Sequence, residues 1–372
     1  MNNIEVAVIN DQHVFSGTFS HAYKIYENLK GHDVNTSFHQ FLVSNDIPAD
    51  KNIYKYYGFF YNNRGKSKYV YNGKLALNFI SGFNWRTFKG IRADVAILSG
   101  PSLLPLTKYY KKTIVIGHDL YYLNSADKST FLKLYMSAMY KRFREANFII
   151  VNSGFTRNEF ISKLGLDETR VQVVYPYVDF QIFHPGITNI RSSLNVKDND
   201  ILILSVGGDG INKNVETVLK LITKLPSNFK LIRVGRNFRI NRMIIDLGLQ
   251  SRVISLGNVD TKILSELYRT CNFFIFLSLS EGFGSPLIEA MASGIPIIAS
   301  NRTSIPEVVG DSGIICDPYD IEYMSKEIIE ISLNESLQKY YINKEKKKVL
   351  EFSKEKQFQS LSNVLNLILD DH

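Results

Sequence analysis

Two carboxylates, Glu281 and Glu289, stand on either side of the loop Gly282-Phe283-Gly284-Ser285-Pro286. Ser285 is suited to cap a helix and Pro286 to begin it, so the pattern predicts a helix over Pro286–Ser293 that stops at Gly294. A helix start offers backbone N–H groups that lack intrahelical partners and a partial positive charge, both suited to phosphate. Carboxylates accept paired hydroxyl donors. The macrodipole alone also favours acidic residues near a helix start, so the spacing has a purely structural explanation as well. Two further glycine loops, Ser16-Gly17-Thr18 and Gly207-Gly208-Asp209-Gly210, follow apolar runs and precede helical patterns. None of the three matches the Walker pattern or a full dinucleotide fingerprint. Tight strand-to-helix turns require glycine for structural reasons too, but loops of this kind in two domains imply a ligand held in a cleft between them.

These loops need strands to carry them. Short apolar runs rich in Val and Ile recur at Val6–Ile9, Val95–Leu98, Ile114–Ile116, Phe148–Val151 and Val171–Val174. The scheme restarts at Ile201–Val206, Leu231–Val234, Val253–Leu256, Phe273–Leu277 and Ile295–Ala299. Helical patterns lie between the runs, as in parallel sheets covered by helices. Tyr175–Asn189, with Pro176, Pro185 and Gly186, reads as a hinge. The expectation is an α/β chain of two Rossmann-like, doubly wound domains, 1–182 and 183–350. Residues 351–372 form an amphipathic helix able to cross back to the first domain. The lysines of Lys344–Lys348 read as a solvated helix face.

The segment SEGFGSPLIEAMASGIPIIASNRTSIPEVVGDSGIICDP, residues 280–318, closely resembles the nucleotide-sugar signature of family 4 glycosyltransferases, including the spacing of its two glutamates. These are retaining enzymes of the GT-B fold, with two Rossmann-like domains. The resemblance implies that Glu281 binds donor-sugar hydroxyls and Glu289 the ribose, with Gly282 and the amides of Phe283, Gly284 and Ser285 at the diphosphate. Lys213, in Asn212-Lys213-Asn214, looks like the family lysine that neutralises the leaving phosphate. A fixed ammonium there stabilises developing charge without a metal. Family members often carry arginine five residues before that lysine, where this chain has Gly208; Arg236, after the next strand, is a candidate substitute. Ile116-Gly117-His118-Asp119 resembles the His-Asp pair that such enzymes place on the acceptor side, where it would position sugar or acceptor. Gly17 and Thr18 correspond to the first-domain glycine loop.

The implied reaction is transfer of a hexose from a nucleoside diphosphate sugar to a glycan, lipid-linked or other hydroxyl acceptor, with retention and with no cofactor or metal. An epimerase or inverting transferase of the same architecture is a rival, as is a degenerate nucleotide- or glycan-binding protein, which Gly208 makes conceivable. Residues 1–182 hold 22 Lys and Arg against 14 Asp and Glu, which is the whole of the net charge of +8. A basic front half suits an anionic partner or simple solvation. No nucleic-acid motif supports nucleic acid as that partner. Lys128–Arg144 has the composition of a basic amphipathic helix, which either packs on its own sheet or lies on an anionic membrane. Cys271 and Cys316 read as buried small hydrophobes. The N-terminal residues lack the pattern of a signal peptide and no apolar run is long enough to span a bilayer. The expected location is the cytoplasm, including the cytoplasmic face of a membrane.

Overall fold

A computed structural model of the chain describes residues 4–10, 17–41, 53–56, 91–124, 129–208, 210–235 and 240–370. These form two compact units, residues 1–176 with 357–372, and residues 177–356. Among the described residues no helix is long and apolar enough to cross a membrane.

The first unit is built on a parallel sheet of β1 (Glu5–Asn10), β2 (Asn35–Phe41), β3 (Ile53–Tyr56), β4 (Val95–Leu98), β5 (Thr113–Gly117), β6 (Phe148–Val151) and β7 (Val171–Val173), in the order β3-β2-β1-β4-β5-β6-β7. Val6–Ile9, β4, Ile114–Ile116 and β6 are apolar on both faces and buried throughout, as strands of a parallel sheet covered on both sides require. In β1, Val6 and Val8 face one core with Ile25 and Leu29 of the Gly17–Gly31 helix. Ala7 and Ile9 face the other, with Phe143 and Phe160. The period of two thus divides one strand between two cores.

The helix Lys354–Asp370 completes the first of these cores with Leu361, Val364, Leu365 and Ile368, spaced as one helical stripe. It is also tied by side chains. Asn28 Nδ2 donates to Gln357 Oε1 at 2.9 Å, Gln357 Nε2 to the Tyr175 carbonyl at 3.1 Å, and Lys112 Nζ to the Leu369 carbonyl at 2.8 Å. The last described helix of the chain therefore belongs to its first unit.

The second unit holds β8 (Ile201–Val206), β9 (Phe229–Val234), β10 (Val253–Gly257), β11 (Phe273–Phe276), β12 (Ile297–Ser300) and β13 (Ile314–Cys316), all parallel, ordered β10-β9-β8-β11-β12-β13. In both units the order reverses beside the first strand, the arrangement that opens a crevice at the carboxyl ends of the strands.

Three strands lie outside the runs read from the sequence. In β2, Thr36, His39 and Gln40 are buried despite their polarity, and Gln40 Oε1 accepts from Asn10 Nδ2 at 2.7 Å, so hydrogen bonding replaces apolarity there. β3 is a four-residue strand and β13 only three residues long, too short for an apolar pattern to stand out. Both cysteines are free and buried.

Candidate active site

In the second unit the site grows from two loops tied edge to edge. After β8 the chain makes the turn Ile211–Lys213, and after β11 it runs through Leu279, Ser280 and Glu281. Leu279 N–H donates to the Asn212 carbonyl at 2.7 Å, and Asn212 Nδ2 donates to the Ser280 carbonyl at 3.3 Å. This lacing delivers Lys213 to Glu281: Nζ lies 2.5 Å from Oε1, with both side chains mostly shielded from solvent. Lys213 Nζ also stands 5.7 Å from the centre of the Phe276 ring. The lysine and glutamate that the sequence assigns to phosphate and sugar are thus one ion pair.

The Glu281 loop is pinned from its other side. Its backbone N–H donates to Thr303 Oγ1 at 3.0 Å, and Ser304 Oγ donates to the carbonyls of Glu281 at 3.0 Å and Phe283 at 3.2 Å. Phe283 itself is buried against Phe352, ring centres 5.5 Å apart, so its side chain anchors the loop while its backbone borders the helix start.

The helix runs Ser285–Ser293 and ends at left-handed Gly294, as its residues predict, but its cap differs. Gly284, not Ser285, is the N-cap, with φ of 99° and no side-chain bond. A side-chain carbon at Gly284 would come within 2.9 Å of Leu287 Cδ1, so both its dihedral and its surroundings require glycine. Ser285 is drawn into the first turn as a result.

Glu289 sits one turn further on, partly exposed. The Tyr268 hydroxyl lies 3.0 Å from its Oε2 and 3.2 Å from the Pro286 carbonyl oxygen. Burial and the Glu289 carboxylate together hold the Tyr268 hydroxyl well above its usual pKa, so it remains a donor that orients the carboxylate.

Gly208, where the resemblance leads one to expect arginine, has open space where a side chain would begin: nothing described lies within 4 Å. Arg236, the candidate substitute, lies outside the described residues. A different arginine serves the loop. Arg233, the next-to-last residue of β9 and 1% exposed, extends its guanidinium under it. Nη2 donates to the carbonyls of Gly207 at 2.5 Å and Gly208 at 2.7 Å, and Nη1 to those of Ser205 at 3.3 Å and Val234. The signal in the sequence was a charged residue inside Leu231-Ile232-Arg233-Val234, a run otherwise suited to a buried strand.

In the first unit, Gly17 opens the Gly17–Gly31 helix, and His118 and Asp119 follow β5. His118 Nε2 lies 3.0 Å from the Ser99 carbonyl, so it carries the proton and leaves Nδ1 as the basic nitrogen. Burial lowers the His118 pKa to about 4 even though the Ser99 contact favours the charged form. The ring meets His21 edge-on at 5.5 Å. His21, which sequence reasoning did not single out, is buried with neither ring nitrogen hydrogen-bonded among the described residues. Burial first, and His118 second, push its pKa well down as well. Asp119 Oδ1 accepts from Tyr121 N–H at 3.0 Å, which shapes the turn after the histidine.

Comparisons with known proteins agree with this architecture. Residues 186–348 match the family model Glycosyl transferases group 1, and residues 47–182 match Glycosyltransferase Family 4. The O-antigen chain mannosyltransferase B of Escherichia coli is 45% identical over 75 residues, 20% of each chain. The N-acetyl-alpha-D-glucosaminyl L-malate synthase of Bacillus anthracis is 27% identical over 175 residues, 45% of each. The chain thus spans less than half the length of these curated relatives. Among solved structures, Anabaena HepE in complex with UDP-glucose superposes with a TM-score of 0.77 at 18% identity, covering 98% of this chain and 100% of that one. That likeness is one of fold. The chain carries the two regions of a family 4 type glycosyltransferase, a Family 4 region followed by a group 1 region, on the GT-B fold.

Proposed function

We propose that the protein transfers a hexose from a nucleoside diphosphate sugar to the hydroxyl of a glycan, lipid-linked or similar acceptor, with retention at the anomeric carbon and without a metal. The observation that carries the reading is the Lys213–Glu281 pair, held at 2.5 Å beside the Gly284 helix start. An ammonium placed beside a carboxylate and the positive end of a helix offers both halves of what the donor needs. Cationic and amide groups suit the diphosphate, and a carboxylate suits the sugar hydroxyls. In this reading Lys213 neutralises the leaving phosphate, Glu281 holds the sugar, and Glu289, oriented by Tyr268, holds the ribose. The departing phosphate oxygen assists the incoming hydroxyl on the same face, which accounts for retention. Neutral His118, with Asp119 beyond it, positions sugar or acceptor.

The UDP-glucose held by the Anabaena structure and the mannosyltransferase activity named for the E. coli relative support a sugar nucleotide and a hexose. The test is a thermal-shift screen of nucleoside diphosphate hexoses, followed by product mass and the anomeric configuration of the product by NMR, with and without EDTA. A retained product formed in EDTA is the expected result. Nucleotide binding without transfer to any acceptor of a broad panel would establish a binding protein instead. An inverted product would overturn the stereochemistry, and loss of turnover in EDTA the metal independence.

A further inference from the structure

The loop after β8 is the one place where the expected cation is missing, and its geometry shows how backbone can take that role. Gly207, with φ of 145°, donates its N–H to the Val234 carbonyl at 3.0 Å. Gly235, with φ of 123°, follows β9, and a side-chain carbon there would overlap the Gly207 carbonyl oxygen. The ends of β8 and β9 are therefore in van der Waals contact, and Arg233 lies in the junction. Its Nη2 accounts for the Gly207 and Gly208 carbonyls at once, and its Nη1 joins Ser205 on β8 to Val234 on β9.

A trans peptide points its N–H opposite its carbonyl, and no described peptide here is cis. Drawing the Gly207 carbonyl onto a buried guanidinium therefore turns the Gly208 N–H of the same peptide to the side opposite Arg233, and Gly208 carries no side chain that could cover the turn. Successive amides aimed outward from such a turn form a concavity for anions. The same turn touches the candidate catalytic pair. A side-chain carbon at Gly207 would lie 3.6 Å from Lys213 Cδ, so the backbone that Arg233 holds is also the surface along which the Lys213 stem reaches Glu281.

We infer that Arg233 is a positioning residue of a diphosphate subsite: it holds the Gly207 and Gly208 carbonyls inward and so presents the loop's amide, with Lys213 beside it, to a nucleoside diphosphate. This rests on the donor-site reading above. The guanidinium does not touch the ligand. It fixes the peptides that do, and it stands where no arginine side chain can reach out from residue 208. Arginine suits the task because its planar fork serves several carbonyls from one buried position, which a lysine cannot do.

The experiment measures binding of UDP, GDP and ADP, and of their parent nucleosides, to wild type, Arg233→Gln and Arg233→Lys. For the base that wild type prefers, Arg233→Gln should weaken the diphosphate roughly tenfold or more while leaving the nucleoside within about twofold. Arg233→Lys, which keeps the charge and most of the volume, should show the same selective loss at roughly threefold, and it decides the matter if Arg233→Gln does not fold. A role confined to stability would move nucleoside and diphosphate together. Equal loss of both, or loss of neither, overturns the inference and leaves the donor site standing. Failure of folded wild type to bind any of the three diphosphates overturns the donor-site reading and this inference with it.

Discussion

Lys213 Nζ and Glu281 Oε1 lie 2.5 Å apart across two loops, 68 positions apart in the chain. Because the two charges are shielded together, each sets the geometry of the other, and removing one strands its partner. Glu281→Gln and Lys213→Ala should each lower kcat by roughly 100-fold or more. The double variant should cost much less than the product of the two, because residues that act as a unit are not additive. Steady-state rates with saturating donor give the cycle; full additivity would show that the pair does not work together.

Tyr268 reaches Glu289 from the neighbouring Thr261–Thr270 helix with a single hydroxyl. Tyr268→Phe removes only that oxygen, so stability should fall by about 1 kcal/mol. Glu289 keeps its charge but loses its orientation, and affinity for a nucleoside diphosphate should drop severalfold with kcat little changed. Calorimetric titration of the folded variant checks this. A fall in kcat at unchanged affinity would place Glu289 at the reacting centre instead of the ribose.

His118 and His39 both have pKa values lowered to about 4 from 6.5, in each case chiefly by burial. Unfolded histidines take up protons first, so stability should be complete above pH about 6.5 and be lost as pH falls toward 4. Between those limits His118 stays neutral in the folded protein. The rate of transfer should therefore show no acid limb from His118 between pH about 5 and 8, and its ring NMR signals should not titrate there. A midpoint near 6.5 in those signals would contradict the burial described for the ring.

Glu345 presents the opposite sign. It is fully buried in the helix Glu335–Lys348, with Oε1 accepting from Ile297 N–H at 3.2 Å and Oε2 without a hydrogen-bond partner among the described residues. Burial raises its pKa well above 4.5. A group that holds its proton more tightly when folded lowers stability as pH rises from its unfolded pKa through its folded one. Glu345→Gln, which keeps the shape and removes the ionisation, should raise the melting temperature at pH about 8 and leave it nearly unchanged at pH about 4. Melting curves across that range decide it, and an equal shift at both ends would mean the ionisation is not responsible.

The helix Thr130–Lys141 divides its apolar residues. Met139 is buried, as is Phe143 in the turn that follows, and both face the protein, while Phe131 is 81% exposed and Leu134 67%. With Lys133 between them, this end has the composition of a site that rests on an anionic bilayer surface. Sedimentation with phosphatidylglycerol vesicles should retain the wild type, and Phe131→Ser with Leu134→Ser should weaken retention roughly tenfold. Equal retention of the two proteins, or equal binding to zwitterionic vesicles, would exclude this surface as the contact.

Glu281, Glu289 and the helix between them were legible in the sequence because their signals are local: a glycine turn, a proline at the helix start, a glycine at its end. Strands β8 to β12 were legible because each carries a run of apolar residues, unbroken in β11 and interrupted only singly in the others. Their partners were not. Thr303 and Ser304, which pin the Glu281 loop, and Tyr268, which orients Glu289, act from other elements, and a lone hydroxyl residue carries no pattern. Arg233 is the sharpest case. The missing arginine at Gly208 directed attention to Arg236, the next arginine beyond a strand, whereas the guanidinium under the loop comes from within the strand, at a position whose burial only the register of β8 and β9 reveals. β2 escaped notice for the converse reason, since beside Phe38 its buried residues are polar, with Gln40 bonded to Asn10 of β1 and Thr36 to the Val34 carbonyl.

The Lys354–Asp370 helix carries a consequence for how the protein is made. Residues 177–356 form one uninterrupted stretch and can reach their final packing once they have emerged from the ribosome. The first unit cannot. Val6, Val8 and Leu29 share a core with Leu361, Leu365 and Ile368, so residues 6–29 must wait for residues 361–368, with that face of their sheet only partly covered in the interval. Order along the chain and order of completion are thus inverted: the second unit can be complete first, and the first unit is sealed only when the Lys354–Asp370 helix arrives.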